Sequence, residues 1–293
     1  MITSKEIKNY AFKSDAAIQL EIISLETLIA SNKHDLIIPH RTNFYHVFLL
    51  EHCTPTHFVD FNPIKIKPYT LLFIAKDRVH QFDYSLKYTG CLLVFTDDFF
   101  CITDSDSKFL GSTILFNDLT DKLNFQVDKA VFDRFTKICN EINEELKLPD
   151  DSSKHNILQN LLHNFLLLAE REKRNRGFTE IKKGADLDYT LLFKDLLEKN
   201  FATFKNVRTY AQKLYVSEKR LRQATSKVLG KTPKELIDAR TLLEAKRLLI
   251  HGNKSIKEIG FQLGFEEPTN FIKYFKKHTN KTPVEFRENY LPV

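Results

Sequence analysis

Short apolar runs in the first hundred residues predict β-strands. The runs 44–50, 70–74 and 91–95 are rich in β-branched and aromatic residues. Asn62-Pro63 and Lys67-Pro68-Tyr69 lie between them, and such sequences are typical of turns. Several short strands at spacings of about ten residues indicate a small antiparallel barrel or sandwich.

After about residue 127 the apolar positions follow a helical period. The first helix carries Val131, Phe135, Ile138, Ile142 and Leu146 on one face. The next helix has a wider apolar surface, formed by Ile157, Leu158, Leu161, Leu162, Phe165, Leu166 and Leu168. This surface fits a helix-to-helix dimer seam and equally fits packing on the β domain. The charged run 171–177, followed by Lys182-Lys183-Gly184, predicts a polar linker.

From Asp188 onward the pattern is helical throughout. Short amphipathic helices are expected over 207–214 and 219–228, and again over 256–263 and 269–277. Between the two pairs, Thr232 and Pro233 begin a long helix, with Thr at the N-cap and Pro at the first helical position. We expect this helix to run through Leu249 to Gly252, a candidate C-cap.

Two stretches of this helical part resemble each other. When they are aligned from Val207 and Ile256, Ala211 corresponds to Gly260 and Leu214 to Leu263, and both stretches close with Lys-Thr-Pro. Each has a small residue that lets two helices approach and apolar residues that seal the corner between them. The repeat therefore predicts two helix-turn-helix units.

The long helix gives the repeat a geometric meaning. Seventeen residues, from Pro233 to Leu249, span about 25 Å. With the widths of the packed helices added, the second helices of the two units are expected to lie about 34 Å apart, which is one turn of duplex DNA. One chain could then place two helices in successive major grooves.

The charge distribution supports a polyanionic partner. The net charge is +6, but residues 1–180 hold 21 Lys and Arg against 25 Asp and Glu, whereas residues 181–293 hold 23 against 13. A basic region behind an acidic body is typical of a domain that binds nucleic acid. No apolar run reaches the roughly 18 residues of a membrane helix, and the N-terminus lacks the apolar segment of a secretory signal. With four widely spaced cysteines, we expect a cytoplasmic protein with reduced thiols and no membrane partner.

Residues 188–291 resemble the DNA-binding domain of the AraC/XylS family, a pair of helix-turn-helix units. The motifs that carry the resemblance are I-K-E-I-G-F-Q-L-G-F, F-I-K-Y-F-K-K and K-T-P-V-E-F-R in the second unit. The resemblance implies a sequence-specific DNA-binding transcription regulator that is not an enzyme. It also implies double-stranded DNA and RNA polymerase as partners, a small-molecule effector, and a homodimer.

The resemblance places base contacts on the exposed N-terminal parts of the two recognition helices. The matching positions are Lys219, Arg222, Gln223, Thr269, Asn270 and Lys273. Arg and Lys can donate to guanine, and Gln and Asn can pair with adenine. Phosphate contacts that set the register are expected from Ser217, Arg220, Lys227, Lys276 and Lys277.

The N-terminal domain resembles the cupin-like effector domain that many family members carry. The rival hypothesis is a metal-dependent cupin enzyme with an accessory DNA-binding domain. Such an enzyme needs clustered histidines and a carboxylate, and the candidates are His40, His46, His52, His57, His80 and Glu51. No His-x-His pair occurs among them, so two neighbouring inward positions of one strand cannot both bind metal. We therefore expect no metal, no cofactor and no catalytic residue.

The predicted architecture is α+β. A cupin-like antiparallel β barrel with helices occupies 1–150, a dimerisation helix and linker occupy 151–185, and an all-α DNA-binding domain of two helix-turn-helix units occupies 186–293. An effector bound to the first domain would alter dimerisation or the orientation of the last.

Overall fold

The computed structural model describes residues 7–12, 18–60, 62–116, 123–176, 184–251 and 254–290. Contacts within the chain separate an N-terminal unit, Lys8–Glu180, from a C-terminal unit that begins at Ile181. The described strands all belong to the first unit, whereas the described part of the second contains helices alone. The molecule is therefore α+β, as predicted. The predicted linker falls in part on residues 177–183, which lie outside the described residues.

Two five-stranded sheets form the centre of the N-terminal unit, with the orders β1-β3-β8-β5-β6 and β10-β7-β4-β9-β2. The strands are β1 (Lys8–Tyr10), β2 (Leu20–Ser24), β3 (His40–Thr42), β4 (Tyr45–Leu50), β5 (Thr56–Val59), β6 (Asn62–Lys65), β7 (Thr70–Ile74), β8 (Val79–Gln81), β9 (Gly90–Phe95) and β10 (Asn124–Gln126). The described pairs are antiparallel except β1 with β3, which is parallel. No described pair joins the two sheets, so they do not close into a barrel.

The strands β4, β7 and β9 are apolar on both faces because both faces are covered. Alternate side chains of β4, such as Phe48 and Leu50, join a core between the two sheets. The side chains between them, such as Val47 and Leu49, join a second core formed with helices. A strand buried on both faces has a continuous apolar sequence rather than an alternating one, which is why these three strands were predictable.

The outer face of the second sheet is covered by the helices α2 (Asp97–Phe100), α3 (Asp104–Ser112), α4 (Lys129–Lys147) and α5 (Lys154–Asn175). The helix α1 (Leu25–Leu36) instead packs into the core between the two sheets through Leu25 and Leu36. Phe135 of α4 and Phe165 of α5 are buried in the same core as β-strand residues, and their rings are 4.9 Å apart. Most of the wide apolar surface of α5 therefore packs within its own unit. Ile157 and Leu167 remain 40% and 49% exposed.

The charged run that was predicted to be linker begins as helix. α5 extends to Asn175 because its charged residues find partners within the unit. Lys173 is fully buried and its Nζ donates to the carbonyl oxygen of Ile114 at 2.7 Å. Arg174 pairs with Glu170 one turn earlier at 3.3 Å. The linker prediction is wrong for residues 171–175. Charged side chains can form hydrogen bonds and ion pairs while the backbone stays helical, so a run of charges does not by itself end a helix.

Seven helices form the described C-terminal unit. They are α6 (Ala185–Asn200), α7 (Val207–Lys213), α8 (Glu218–Leu229), α9 (Pro233–His251), α10 (Ile256–Gln262), α11 (Pro268–Thr279) and α12 (Pro283–Tyr290). One core gathers residues of α6, α7, α8 and the start of α9, including Phe193, Tyr210 and Leu221. Another gathers the end of α9 with α10, α11 and α12, including Phe271 and Phe275. The two halves that the sequence repeat predicted thus have separate cores joined by α9.

Helices of membrane-spanning length and apolarity do not occur among the residues that the structure describes.

Candidate nucleic-acid interface

The first helix-turn-helix unit is formed by α7 and α8. Asn206 caps α7 by accepting a hydrogen bond from the Thr209 backbone N–H at 2.9 Å. Ser217 caps α8 by accepting from the Arg220 N–H at 3.1 Å. Side-chain caps satisfy N–H groups that a helix start leaves free, so the starts of both helices are fixed. The exposed face of α8 is consequently held in place by its own start and by the core beneath Leu221.

The second unit, α10 and α11, repeats this arrangement with a closer contact. A Cβ added to Gly260 would lie 3.2 Å from the Cβ of Phe271, so the small residue lets α10 approach α11. Phe271 itself is fully buried. Ala211, the corresponding residue of the first unit, is also buried. The small residues that marked the sequence repeat therefore lie where the two helices of each unit meet.

Both Lys-Thr-Pro sequences begin helices through the same reciprocal cap. The N–H of Thr232 donates to Glu235 at 2.7 Å, and the Glu235 N–H donates to the Thr232 hydroxyl at 3.3 Å. Thr282 and Glu285 repeat the pair at 2.7 and 3.2 Å. Such a capping box satisfies two free donors at once, and it fixes where α9 and α12 begin.

The helix α9 joins the two helix-turn-helix units and ends at His251, directly before the predicted C-cap position. Its 19 residues correspond to about 28 Å, slightly more than the Pro233–Leu249 span used for the spacing. Ile237 near its start is buried in the first core, and Ala245 and Leu249 near its end are buried in the second. Because both cores pack on one continuous helix, α8 and α11 are carried by the same rigid element.

The six residues predicted to contact bases are exposed. They lie on the N-terminal halves of α8 and α11 and are Lys219, Arg222, Gln223, Thr269, Asn270 and Lys273. Beside α8, an open groove of about 440 Å³ is lined in part by Lys219, Arg222 and Lys234. These side chains supply hydrogen-bond donors and acceptors without a competing role in the core.

Two of the residues predicted to contact phosphates are tied to α6. Asp186, in the first turn of that helix, accepts from Arg220 at 2.5 Å and from Lys227 at 2.7 Å. These hydrogen bonds, from Lys227 first and Arg220 second, hold the pKa of the Asp186 carboxyl below its usual range. The Arg220 guanidinium also lies 4.7 Å from the ring centre of Tyr189. Sequence reasoning missed Asp186, because a contact between residues this far apart leaves no local pattern.

The second recognition helix has no such restraint. In the described part of the chain, Lys273, Lys276 and Lys277 form no ion pair, and all three are exposed. They lie on α11, whose C-terminal turn also holds His278. Cations near a helix C-terminus are favoured by the helix dipole. The helices α8 and α11 therefore differ in how many of their basic side chains form ion pairs.

Four histidines converge between the sheets of the N-terminal unit, which sequence reasoning also missed. His40 and His80 are direct partners across β3 and β8, and the ring of His80 lies 4.7 Å from that of His46 on β4. His57 Nε2 is 3.2 Å from His80 Nδ1. All four side chains are buried. A search for His-x-His pairs finds only histidines that share one strand. It could not reveal this cluster, because its members come from four different strands.

His52 and Glu51 lie apart from this cluster. His52 is exposed and Glu51 is half-buried, and His52 Nε2 lies 3.3 Å from Glu51 Oε1. Among the described residues, no group of three or more His, Cys, Asp or Glu side chains is arranged to hold a metal ion.

Comparison with known proteins gives the following matches. Residues 210–289 match a family of helix-turn-helix domains. The HTH-type transcriptional activator RhaS of Escherichia coli (strain K12 / DH10B) is 23% identical over 258 residues, which cover 85% of this chain and 87% of that protein. The helix-turn-helix match includes α8 and α11 entirely.

Solved structures give two further likenesses. A transcriptional regulator from Chromobacterium violaceum, described as containing an AraC-type DNA-binding domain, is 27% identical and covers 36% of this chain and 93% of its own, with a TM-score of 0.33. ToxT from Vibrio cholerae is 14% identical and covers 94% of this chain and 100% of its own, with a TM-score of 0.42.

Proposed function

We propose that this chain, which is a DNA-binding transcription regulator with an AraC-type helix-turn-helix domain, recognises a specific operator by placing α8 and α11 in successive major grooves. The observation that carries the proposal is the repeated unit itself. Two capped helices present exposed polar faces, and one continuous helix joins their cores. Helices of this kind enter the major groove, where base edges differ from one pair to the next.

The residues divide into two roles under this proposal. Base edges are recognised by Lys219, Arg222, Gln223, Thr269, Asn270 and Lys273. The register on the duplex is set by Ser217, Arg220, Lys227, Lys276 and Lys277. The division is supported by position for most residues, since the first group occupies the N-terminal halves of the two helices, whereas Lys227, Lys276 and Lys277 lie in the C-terminal halves and Ser217 caps α8. Arg220 lies in the N-terminal half of α8, but its guanidinium is bound by Asp186.

A DNA titration of the full chain tests the proposal. Fluorescence anisotropy should give tighter binding to duplexes selected from a random pool than to unselected duplex at the same salt concentration. Lys276→Ala should weaken binding to both and lower the slope of log K against log salt by about one. Lys137→Ala, which removes an exposed lysine of α4 in the N-terminal unit, is the control and should change neither. Equal affinity for selected and unselected duplex would contradict sequence-specific recognition.

The N-terminal unit is proposed to be a cupin-like sensor of a small-molecule effector. Effector binding would alter dimerisation, or the orientation of the DNA-binding unit, through residues 152–185, and the regulator would act with RNA polymerase in the cytoplasm. The exposed Ile157 and Leu167 of α5 support a dimer contact on that helix. Measuring operator affinity of the full chain with and without candidate effectors tests the coupling. If no effector changes either operator affinity or oligomeric state, the coupling fails while DNA binding stands.

The alternative function is a metal-dependent enzyme with an accessory DNA-binding domain. The buried histidines of the N-terminal unit are the observation in its favour. Metal analysis of the purified full chain separates the two proposals. A regulator of the kind proposed should contain no stoichiometric iron, manganese or zinc.

A further inference from the structure

A cavity of about 260 Å³ lies in the N-terminal unit between its two sheets and α1. Its walls are mainly apolar and aromatic, with Phe12, Phe44, Phe48, Phe82, Leu92 and Val94 among them. Apolar cavities with a few convergent polar groups are the usual form of a small-molecule site. The polar groups of this cavity therefore decide which ligand it suits.

The polar end of the cavity is formed by three of the buried histidines, His40, His46 and His80. Within the described residues, Nδ1 of His46 and Nε2 of His80 have no hydrogen-bond partner, although both side chains are at least 97% buried. Buried polar atoms are nearly always hydrogen-bonded in folded proteins. With the hydroxyl of Tyr10, which also lines the cavity and has no described partner, three such atoms point to a ligand that bonds them.

The hydrogen bonds behind these rings indicate which way the ligand bond runs. His40 Nδ1 lies 2.8 Å from the carbonyl oxygen of Ile38, which can only accept, so Nδ1 carries the proton. In a neutral ring this leaves Nε2 of His40 as an acceptor.

His80 reaches the same state through a chain of contacts. Its Nδ1 bonds His57 Nε2, and His57 Nδ1 lies 3.4 Å from the hydroxyl of Tyr88. That hydroxyl accepts from the Asp83 N–H at 3.2 Å, and when it directs its proton to the carbonyl oxygen of Thr56 at 3.5 Å it also accepts from His57 Nδ1. His57 Nε2 then accepts from His80 Nδ1, and Nε2 of His80 is left as an acceptor. Both rings thus offer lone pairs, and a suitable ligand donates a proton.

The charge of the lining favours an uncharged ligand. Burial lowers the pKa of His40, His46 and His80, so all three are neutral at pH 7. The described lining has no Lys or Arg. Its carboxylates are Glu21, which is exposed, and Asp35, which pairs with Lys8 at 2.5 Å. A buried carboxylate or phosphate would meet no cation, and a buried ammonium would meet no free carboxylate at the deep end. Either charge would pay the desolvation cost of an unpaired ion.

We propose that this cavity binds an uncharged, largely apolar alcohol or phenol, whose hydroxyl group donates a hydrogen bond to the imidazoles at its polar end. This inference rests on the proposed function, since it names the chemical class of the effector that the sensor unit takes. The hydroxyl donates its one proton to Nε2 of His80 and accepts from Nδ1 of His46, the two imidazole atoms without a described partner, and the apolar remainder contacts the phenylalanine walls.

Naphthalene probes of one shape test this with the full chain. The chain has no Trp, so the fluorescence of the probe can be followed directly during titration. The series is 2-naphthylmethanol, 2-methylnaphthalene, 2-naphthoate and 2-naphthylmethylammonium, with zinc chloride titrated separately by calorimetry. We expect 2-naphthylmethanol to bind about five- to tenfold more tightly than 2-methylnaphthalene, which is the usual contribution of one hydrogen bond. The anion and the cation should bind more weakly than either.

Variants locate the bond. His80→Leu and His46→Leu should each reduce the preference for the alcohol over the hydrocarbon, whereas His52→Leu, an exposed histidine outside the lining, should leave it unchanged. Tighter binding of the naphthoate, the ammonium or zinc than of the alcohol would overturn the proposal, and so would equal binding of alcohol and hydrocarbon. The wild-type series decides even if a variant does not fold. DNA affinity is measured separately, so a failure of effector binding is distinguishable from a failure of operator binding.

Discussion

At the scale of single residues, Tyr215 and Gly264 occupy corresponding positions of the two helix-turn-helix units, but only one of these positions requires glycine. Both have left-handed backbone conformations, with φ of 55° and 78°. The Tyr215 side chain is 96% exposed, so a side chain is tolerated at this turn. At Gly264 an added Cβ would lie 1.8 Å from the carbonyl oxygen of Ala202. The second unit therefore needs glycine because the backbone of the α6–α7 connection comes close.

Gly264→Ala should lower the free energy of unfolding of the C-terminal unit by about 2–4 kcal/mol. The left-handed conformation costs about 1–2 kcal/mol for a non-glycine residue, and the collision with backbone adds a similar amount. Gly230→Ala is the matched control, because Gly230 has φ of 64° and no described atom within 4 Å of an added Cβ. The Gly230→Ala variant should lose only the unfolding free energy that the left-handed conformation costs, about 1–2 kcal/mol. Urea unfolding followed by circular dichroism measures both, and equal losses would contradict the close-approach argument.

At the scale of elements, the two recognition helices hold their cations differently. α8 is joined to α6 through Asp186, which binds both Arg220 and Lys227. α11 has exposed lysines without ion pairs in the described part of the chain. A carboxylate beside two cations lowers the positive potential that a phosphate meets. Asp186 therefore ties α8 to α6, and under the proposed function it should weaken the attraction of α8 for DNA.

Asp186→Asn should increase the affinity of the chain for duplex DNA several-fold at low salt, because Arg220 and Lys227 become available to phosphates. The slope of log K against log salt should become steeper for the same reason. Asp188→Asn removes the same charge from an exposed position of the same helix turn and serves as the control. Anisotropy titrations over a range of salt concentrations measure both variants. If the two variants tighten binding equally, the effect is one of net charge, and the specific role of Asp186 is wrong.

The elements also separate what the sequence predicts from what it does not. Helix starts at Thr232 and Thr282 were predictable because a capping box is local. The strands β4, β7 and β9 were predictable because burial on both faces gives continuous apolar runs. The pairing of His40 with His80 and the bridge from Asp186 to α8 were not. Both contacts depend on which distant segments of the chain become neighbours in the fold. The periodicity of hydrophobic residues along the sequence carries no information on which segments those are.

At the scale of the whole molecule, buried histidines are concentrated in the N-terminal unit. Burial lowers the pKa of His57 to about 3 and the pKa values of His46 and His80 well below the ordinary value. In the C-terminal unit, His278 is exposed. Acid should therefore act on the two units unequally.

Between pH 6.5 and pH 5 the stability of the N-terminal unit should fall. In the unfolded chain a histidine has a pKa of about 6.5, so these side chains bind protons in this pH range. In the folded N-terminal unit they stay unprotonated. Each buried histidine then removes about 1.4 kcal/mol of unfolding free energy per pH unit. His57→Asn should reduce that slope by one such amount, and His52→Asn should leave it unchanged. Denaturant unfolding at pH 7, 6 and 5 measures the slopes. An unfolding free energy of the N-terminal unit that does not change with pH would contradict the assignment of neutral imidazoles.

Under the proposed recognition mode, the length of α9 sets where on the operator α8 and α11 act. Because α8 and α11 pack on one helix of 19 residues, the bases they contact should lie about ten base pairs apart, one turn of duplex. Arg222→Ala should relax base preference within one half-site and Lys273→Ala within the other, each costing about 1–3 kcal/mol on the preferred sequence. Selection of bound duplexes from a random pool, repeated for each variant, measures the spacing between the relaxed positions. Arg134→Ala, an exposed arginine of α4, should leave the selected sequence unchanged. Relaxation of the same or adjacent base pairs by both variants would mean that α9 does not place its two helices in successive grooves.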